Sequence, residues 1–113
     1  MKTVTLEVAS GEDVARRALE ALKGRKQQAR ISFATPELLW KVLTAKRWEL
    51  LKVMAGQGAM TIRDATRRVG RDIKAVHGDV QALLGAGVLD KTADGRIEFR
   101  FDAVRVDFTL HAA

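Results

Sequence analysis

The sequence predicts an α+β fold, and three features of its hydrophobic pattern indicate that class. Three segments between residues 46 and 85 carry apolar side chains at helical spacing. Two short runs joined by Asp94-Gly95 follow them, and this arrangement is typical of a β-hairpin. Residues 3–8 and 104–110 alternate polar and apolar side chains, as strands do. The pattern therefore combines a mainly helical middle with strands towards both ends.

The first third of the chain, residues 1–34, predicts a strand, a helix and a second strand. Residues 3–8 and 30–34 alternate, with their apolar side chains on one side. Ser10 is the expected N-cap of the helix between them, and Gly24 is expected to end it. The residues expected to face inward from this helix are Val14, Ala18 or Leu19, and Leu22.

Two helices are predicted next, separated by a break at Thr44. Thr35-Pro36-Glu37 combines a capping hydroxyl, a first-turn proline and an acid, which indicates a short helix that ends near Leu43. Thr44 opens a second helix that reaches about Ala55. The residues of these two helices expected to lie in the core are Trp40, Trp48, Leu51 and Met54.

The following two helices are joined by a very short connection, Val69-Gly70-Arg71. Thr61 and Asp64 resemble a capping box at the start of the first, and Gly70 closes it. Asp72 is expected to cap the second, which reaches residue 84 or 85. The apolar stripe expected on this last helix is Ile73, Val76, Val80, Leu83 and Leu84. Its opposite face carries Arg71, Lys74, Ala75, Gly78 and Ala82, flanked by His77 and Gln81.

The order of helix, short turn, helix and hairpin predicts a winged helix-turn-helix over residues 35–101. Residues 1–34 form a strand-helix-strand extension to it, and residues 102–113 form a C-terminal strand and tail. The terminal strands are too short to be stable alone, so we expect them to pair within the chain or with a second copy. Helix-turn-helix proteins usually read two half-sites related by symmetry, which predicts a homodimer, with the extension as its dimerisation region.

The charge of the chain points to a polyanionic partner. The net charge is +6 and the pI is about 10.2. Most of the excess lies in residues 1–60, because residues 61–113 contain nine basic and eight acidic side chains. Placement is more informative than the total, since residues 63–74 contain five cations and two acids. The cations of the second half are thus concentrated around the short turn.

These positions predict contacts with double-stranded DNA. Arg71 and Lys74 could each reach guanine O6 and N7 or a phosphate, and Gln81 could pair with adenine. The helix before the turn crosses the DNA backbone in this motif, so its arginines are expected to bind phosphates. Gly78 either lets the helix approach the duplex closely or is a tolerated neutral position. The expected DNA-binding residues are Arg63, Arg67, Arg68, Arg71, Lys74, His77, Gly78, Gln81, Lys91 and Arg96.

The sequence gives little support to other classes of site. Cysteine is absent and the histidines are His77 and, in the C-terminal tail, His111, so no metal site is expected. The lack of an activated nucleophile, a phosphate loop or a paired acid and base predicts that the chain is not an enzyme and uses no cofactor. The N-terminal residues predict neither a signal peptide nor a membrane span. Together with the missing cysteines, this predicts a cytoplasmic protein.

Several strings in the chain resemble a family of small prokaryotic MarR-like winged-helix proteins, which are predicted transcriptional regulators. The strings are residues 33–44, residues 46–51, Gly70-Arg71-Asp72, residues 76–80 and Gly87-Val88-Leu89. The resemblance covers roughly residues 30–110 and implies that Arg71, Lys74, His77 and Gly78 belong to a recognition helix, and Lys91 and Arg96 to a wing. It also implies a DNA-binding antitoxin paired with a small cognate toxin.

Two functions from different classes remain open at this point. The first is a sequence-specific DNA-binding transcriptional regulator, in a narrower form the autoregulating antitoxin of a toxin-antitoxin pair. The alternative is a winged-helix protein-interaction module, for toxin neutralisation or assembly, that does not bind DNA. The nearly neutral second half of the chain favours this alternative to some extent.

Overall fold

The computed structural model describes residues 1–110 and 112, and it has a mixed α and β fold, as the sequence predicts. The elements in chain order are β1 (Thr3–Val8), α1 (Gly11–Leu22), β2 (Arg30–Phe33), α2 (Pro36–Val42), α3 (Ala45–Met54), α4 (Ile62–Val69), α5 (Ile73–Gly85), β3 (Asp90–Lys91), β4 (Ile97–Glu98) and β5 (Ala103–Asp107). His111, which the sequence assigned to the tail, lies outside the described residues.

The strands near the two ends pair with each other inside the chain. They form a three-stranded sheet of order β2-β1-β5, in which β1 is parallel to both neighbours. Thr3 is opposite Ala103, and Glu7 is opposite Asp107. This pairing selects one of the two alternatives that the alternating pattern left open. The expected strand 104–110 starts one residue earlier than predicted, at Ala103, and ends at Asp107, which is opposite Glu7 near the end of β1.

The helix boundaries follow the capping residues that the sequence indicated. The side chains of Ser10, Thr35, Thr44 and Thr61 each accept a hydrogen bond from a backbone amide three residues later. The capping box at the start of α4 is complete, since the carboxylate of Asp64 also accepts from the Thr61 amide at 3.2 Å. The sequence predictions of these four helix starts are confirmed.

The predicted hairpin is present as the antiparallel pair β3–β4. Gly95 lies at φ +84° in its turn, a conformation that glycine adopts without strain. Met60 adds a third strand position that the sequence did not indicate: Met60 and Ile97 exchange two backbone hydrogen bonds of 2.8 Å. The hairpin is therefore fastened to the loop between α3 and α4.

One hydrophobic core joins the sheet to the helices and the hairpin. It contains Val4 and Leu6 of β1, Leu50 of α3, Val80 of α5 and Phe99 after β4, all of them buried. At about 25 cal/mol per Å² of apolar surface removed from water, this burial is the main stabilising contribution to the fold. The sheet of the N-terminal extension and the helices after residue 35 thus share a single core.

The inward face predicted for α1 is wrong. Val14, Ala18 and Leu19 are exposed and Leu22 is 84% exposed. The helix is instead held to the sheet by a polar contact, in which Arg17 forms a salt bridge with Glu7 of β1. Its apolar side chains therefore remain at the surface of the chain.

Three other predicted core residues also lie closer to the surface than expected. Ile73, in the first turn of α5, is 45% exposed, because the helix enters the core only from Val76 onward. Trp40 is 56% exposed and Trp48 is 36% exposed. Both indoles lie beside β5, an edge strand, so one side of each ring is left uncovered.

The helices of the described residues are short. The longest, α5, has 13 residues, whereas about 20 apolar residues are needed to cross a bilayer. Within residues 1–110 and 112, no helix is both long and apolar enough to span a membrane.

Candidate nucleic-acid interface

The turn between α4 and α5 has the length that the sequence predicted and is fixed at both ends. Gly70 ends α4 in the left-handed conformation, at φ 72°. Asp72 then caps α5 by accepting hydrogen bonds from the amides of Lys74 at 3.1 Å and Ala75 at 3.4 Å. The turn therefore sets the direction in which α5 leaves α4.

Nine of the ten residues predicted to contact DNA are exposed. Arg63, Arg67 and Arg68 lie on α4; Lys74, His77, Gly78 and Gln81 lie on α5; Lys91 and Arg96 lie on the hairpin. The buried side chains of α5, Val76, Val80 and Leu83, occupy the opposite stripe. The structure thus leaves both the polar face of α5 and the three arginines of α4 open to solvent.

Arg71 differs from the other nine residues. Only 19% of its side chain is exposed, and its Nη1 donates to Oδ2 of Asp79 at 2.7 Å. The expectation that Arg71 extends freely from the outer face of α5 is wrong for this conformation. The sequence did not identify Asp79 as its partner, because the two residues are eight positions apart and on different segments.

Asp79 also binds a second arginine, Arg47 of α3. Oδ1 of Asp79 accepts from Nε of Arg47 at 3.0 Å, so each carboxylate oxygen has its own guanidinium. Nη1 of Arg47 in turn donates to the carbonyl oxygens of Lys41 and Val42, at the end of α2. We call Arg47, Asp79 and Arg71 the buried ion network. It ties α2, α3, the turn and α5 together on the side of α5 next to the exposed cations.

The charge of Asp79 is maintained by its partners. Burial alone would raise the pKa of its carboxyl group, but the hydrogen bonds and positive charges of Arg71 and Arg47 outweigh burial and leave the pKa below its ordinary value of 3.8. The carboxylate is therefore ionised at neutral pH and holds both guanidinium groups in place.

The arginines of α4 remain available for other ligands. Arg67 pairs with Asp64 at 2.9 Å, but 72% of its side chain is exposed, and Arg68 is 3.4 Å from the amide oxygen of Gln57. The hydrogen bond from Thr61 and the contact with Arg67 lower the pKa of Asp64. Exposed pairs of this kind are worth about 0–1 kcal/mol, so a phosphate could replace the carboxylate as the partner of Arg67.

The two cations predicted on the hairpin lie at its tip, on either side of the turn. Lys91 is exposed at the end of β3, and Arg96 pairs with Asp94 at 2.8 Å. A hydrogen bond between Thr92 and Asp94 and another from the Arg96 amide to the Thr92 hydroxyl close the turn. The hairpin tip is thus an ordered structure and not a loose loop.

A second polar cluster, which the sequence reading missed, lies on the sheet. Glu7 of β1 is 8% exposed, and it contacts Arg17 of α1, Arg30 at 3.6 Å and the Ser32 hydroxyl at 3.3 Å. Glu7 occupies a polar position of the alternating pattern of β1, so the pattern gave no signal that this carboxylate would be buried. The cluster fixes α1 to β1 and β2, so its role is structural.

No group of three or more potential metal ligands occurs among residues 1–110 and 112. The side chains predicted to contact DNA carry guanidinium, ammonium, amide and imidazole groups on α4, α5 and the hairpin, and three of these arginines pair with the carboxylates of Asp64, Asp79 and Asp94. These side chains are mainly hydrogen-bond donors, and such a set is suited to anionic oxygens and to the acceptors on base edges.

Comparison with known proteins assigns the chain to a protein family. No curated protein and no solved structure matches the chain significantly. A model of one protein family, described as HVO_A0114, matches residues 42–106, which is more than half of the chain and includes α3, α4, α5, the hairpin and most of β5. The chain is therefore a member of the HVO_A0114 family.

Proposed function

We propose that this protein is a sequence-specific double-stranded DNA-binding transcriptional regulator with a MarR-like winged helix-turn-helix. In this proposal α3, α4 and α5 are the three helices of the motif, α5 is the recognition helix, and β3–β4 is the wing. The observation that carries the proposal is the solvent-exposed polar face of α5, with Lys74, His77, Gly78 and Gln81, directly after the fixed turn at Gly70.

The dimensions of α5 support this assignment. Its 13 residues span about 20 Å, and the major groove of B-DNA admits a helix. Its buried stripe is fully used by the core, so the exposed face is the one left for a ligand. The connection to the hairpin by the Met60–Ile97 bridge gives the wing a fixed position relative to α4.

Each residue then has a separate role. Lys74 and Gln81 contact base edges, and His77 lies at the margin of the contact face. Arg63, Arg67 and Arg68, together with Lys91 and Arg96, neutralise phosphates. Arg71 is the exception: because Asp79 holds it, we assign it the role of orienting α5, not of reading a base.

Two further parts of the proposal concern partners. We propose a cytoplasmic homodimer that reads two half-sites. In a narrower form the protein is the antitoxin of a small cognate toxin and represses its own promoter. No catalytic activity, cofactor or metal ion is assigned to the site.

Binding to the DNA upstream of the protein's own gene tests the proposal. A gel-shift titration should give a complex that survives competition by unrelated DNA. Absence of any salt-sensitive DNA complex in this titration would contradict the proposal. It would favour the protein-interaction module, for which the low net charge of residues 61–113 is the supporting observation.

Replacing Lys74 by alanine should weaken binding to the specific site by about 1–3 kcal/mol and relax the sequence preference at one position, because a lost base contact affects only the matching site. Fluorescence anisotropy with the operator and with single-base variants measures both effects. Lys52→Ala is a matched control, because Lys52 is an exposed lysine on α3 outside the proposed interface. Equal losses for Lys52→Ala and Lys74→Ala would contradict a base contact.

Replacing Gly78 by alanine should change stability and binding in opposite directions. The variant gains about 0.5–1 kcal/mol of stability, because alanine is favoured over glycine within a helix and no described atom outside the local helix backbone lies within 4 Å of the added Cβ. Its DNA affinity should fall if α5 approaches the duplex closely at this position. Gly85→Ala, at the last residue of α5, should stabilise the helix less than Gly78→Ala and leave affinity unchanged. Unchanged affinity in Gly78→Ala would show that the position is merely tolerant.

A further inference from the structure

The outer edge of β5 has no strand beside it among residues 1–110 and 112. In the order β2-β1-β5, only the inner edge of β5 is paired. An unpaired edge presents a row of backbone donors and acceptors and readily accepts another strand.

The backbone direction of β5 is fixed by its pairing with β1. The Ala103 amide donates to the Lys2 carbonyl at 3.2 Å, which turns the backbone groups of Ala103 towards β1. Backbone amide and carbonyl groups point to alternate sides along a strand, so those of Arg105 and Asp107 also point towards β1. The intervening residues Val104, Val106 and Phe108 then present their amide and carbonyl groups to the free edge.

The side chains next to this edge are apolar on one face and charged on the other. Val106 lines a groove of about 540 Å³ with Trp40 and Trp48, and the Phe108 ring lies edge-on to Trp40 at 5.4 Å between centroids. The opposite face carries Arg105 and Asp107, both exposed and of opposite charge. An added strand should therefore be amphipathic in the same way.

We propose that the partner at this edge is β5 of a second copy, paired antiparallel about a twofold axis that passes through Val106. In this register Val106 is opposite its own counterpart, with its outward amide and carbonyl groups bonded to those of the partner. Val104 is opposite the partner's Phe108. The two sheets join into one continuous six-stranded sheet, and the half-exposed indoles of Trp40 and Trp48 lie at the junction.

Charge complementarity selects this register over its neighbours. With the axis at Val106, Arg105 is opposite the partner's Asp107 and Asp107 is opposite the partner's Arg105. An axis at Arg105 or Asp107 would place like charges directly opposite each other, which is destabilising. A shift by one residue would put apolar side chains on the charged face. Antiparallel pairing is also the arrangement that a closed twofold dimer provides.

This inference does not depend on DNA binding, because β5 and the two tryptophans lie outside the proposed DNA contacts. A twofold dimer would nevertheless supply the symmetry that two half-sites need. The β5 interface could therefore be confirmed even if the protein proved not to bind DNA, and DNA binding could be confirmed even if this interface were disproved.

Charge reversal at the two exposed residues of β5 tests the interface. Sedimentation equilibrium of the wild-type chain at micromolar concentration should give a dimer. Arg105→Asp and Asp107→Arg, each alone, place like charges opposite each other at two positions and should weaken the dimer at least tenfold. The double variant R105D/D107R restores opposite charges and should recover most of the affinity. Thermal melts of each variant verify that it is folded, since both side chains are exposed.

A cysteine at the axis gives a second readout in a chain that has no other cysteine. Directly opposed, hydrogen-bonded residues have Cα atoms about 5.5 Å apart, within the range that a disulfide spans. Val106→Cys should therefore form a crosslinked dimer on mild oxidation, whereas Leu110→Cys should not. A monomeric wild type would overturn the proposal, as would a dimer that neither reversal weakens. Weakening by the single variants without recovery in the double variant would overturn the register.

Discussion

Replacing Asp79 by asparagine should lower the free energy of unfolding by about 2–3 kcal/mol, one of the largest effects expected for a polar residue of this chain. The substitution removes the charge that separates Arg47 from Arg71, and both guanidinium groups are largely buried, with about 20% of each side chain exposed. Urea unfolding at pH 7, followed by circular dichroism, measures the loss.

The pH dependence of this effect gives it a specific signature. Because the pKa of Asp79 is lower in the folded chain than its ordinary value of 3.8, its charge stabilises the fold fully above about pH 4. This contribution disappears as the pH falls through the lowered pKa. The difference in unfolding free energy between wild type and Asp79→Asn should therefore shrink in acid and stay constant between about pH 5 and 8.

Glu49→Gln provides the matched control, because Glu49 pairs with Lys52 at 3.6 Å on an exposed surface of α3. The control should change stability by less than about 0.5 kcal/mol at any of these pH values. If Asp79→Asn is as mild as the control, the buried ion network does not hold α5 against α3. If it destabilises strongly but equally at pH 7 and in acid, its effect does not come from the charge.

Removing the three arginines of α4 together should have the largest effect on DNA binding. Each phosphate contact contributes about 0.9 to the slope of log K against log salt, so the triple variant of Arg63, Arg67 and Arg68 to alanine should reduce that slope by about 2.7. Affinity should fall for operator and unrelated DNA alike, because phosphate contacts carry no sequence information. Anisotropy titrations across a range of salt concentrations measure the slope.

A second triple variant distinguishes the effect of charges located on α4 from the effect of the net charge of the chain. Arg16, Lys23 and Lys26 lie on or just after α1, are all exposed, and their replacement by alanine changes the net charge by the same amount. This control should leave the salt slope nearly unchanged. Equal effects of the two triples would mean that the chain attracts DNA through its overall charge and that α4 does not contact the backbone.

The local signals in the sequence predicted most elements of this fold because they act over a few residues. The Thr61 hydroxyl and the Asp64 carboxylate cap the start of α4 through contacts within four residues, whatever the helix packs against. Gly70 ends α4 because glycine readily adopts the left-handed conformation found there. The same is true of the hairpin at Asp94-Gly95. Helical periodicity also identified the buried stripe of α5 from Val76 to Leu83.

Surface exposure could not be predicted in the same way, because periodicity indicates which face of a helix is apolar but not whether another element covers it. The apolar residues of α1 stayed at the surface, and Trp40 was left half-covered beside the edge of β5. The sequence also could not predict that Arg47 pairs with Asp79, because these residues are 32 positions apart and come into contact only when α3 packs near α5. The exposed cations of the candidate interface were predicted to be exposed because a long charged side chain can reach solvent whether or not it also has a partner within the chain.

The amino-acid sequence by itself determined where the helices begin, where the hairpin turns and most of the side chains on the outer face of α5, because capping, turn formation and periodicity are short-range effects. Only the tertiary structure decided that β1 and β5 pair in parallel within one chain and that Asp79 holds Arg71 away from that outer face. It also decided that, among residues 1–110 and 112, no strand pairs with the outer edge of β5. These features depend on contacts between residues far apart along the chain, and such contacts exist only once the core has assembled.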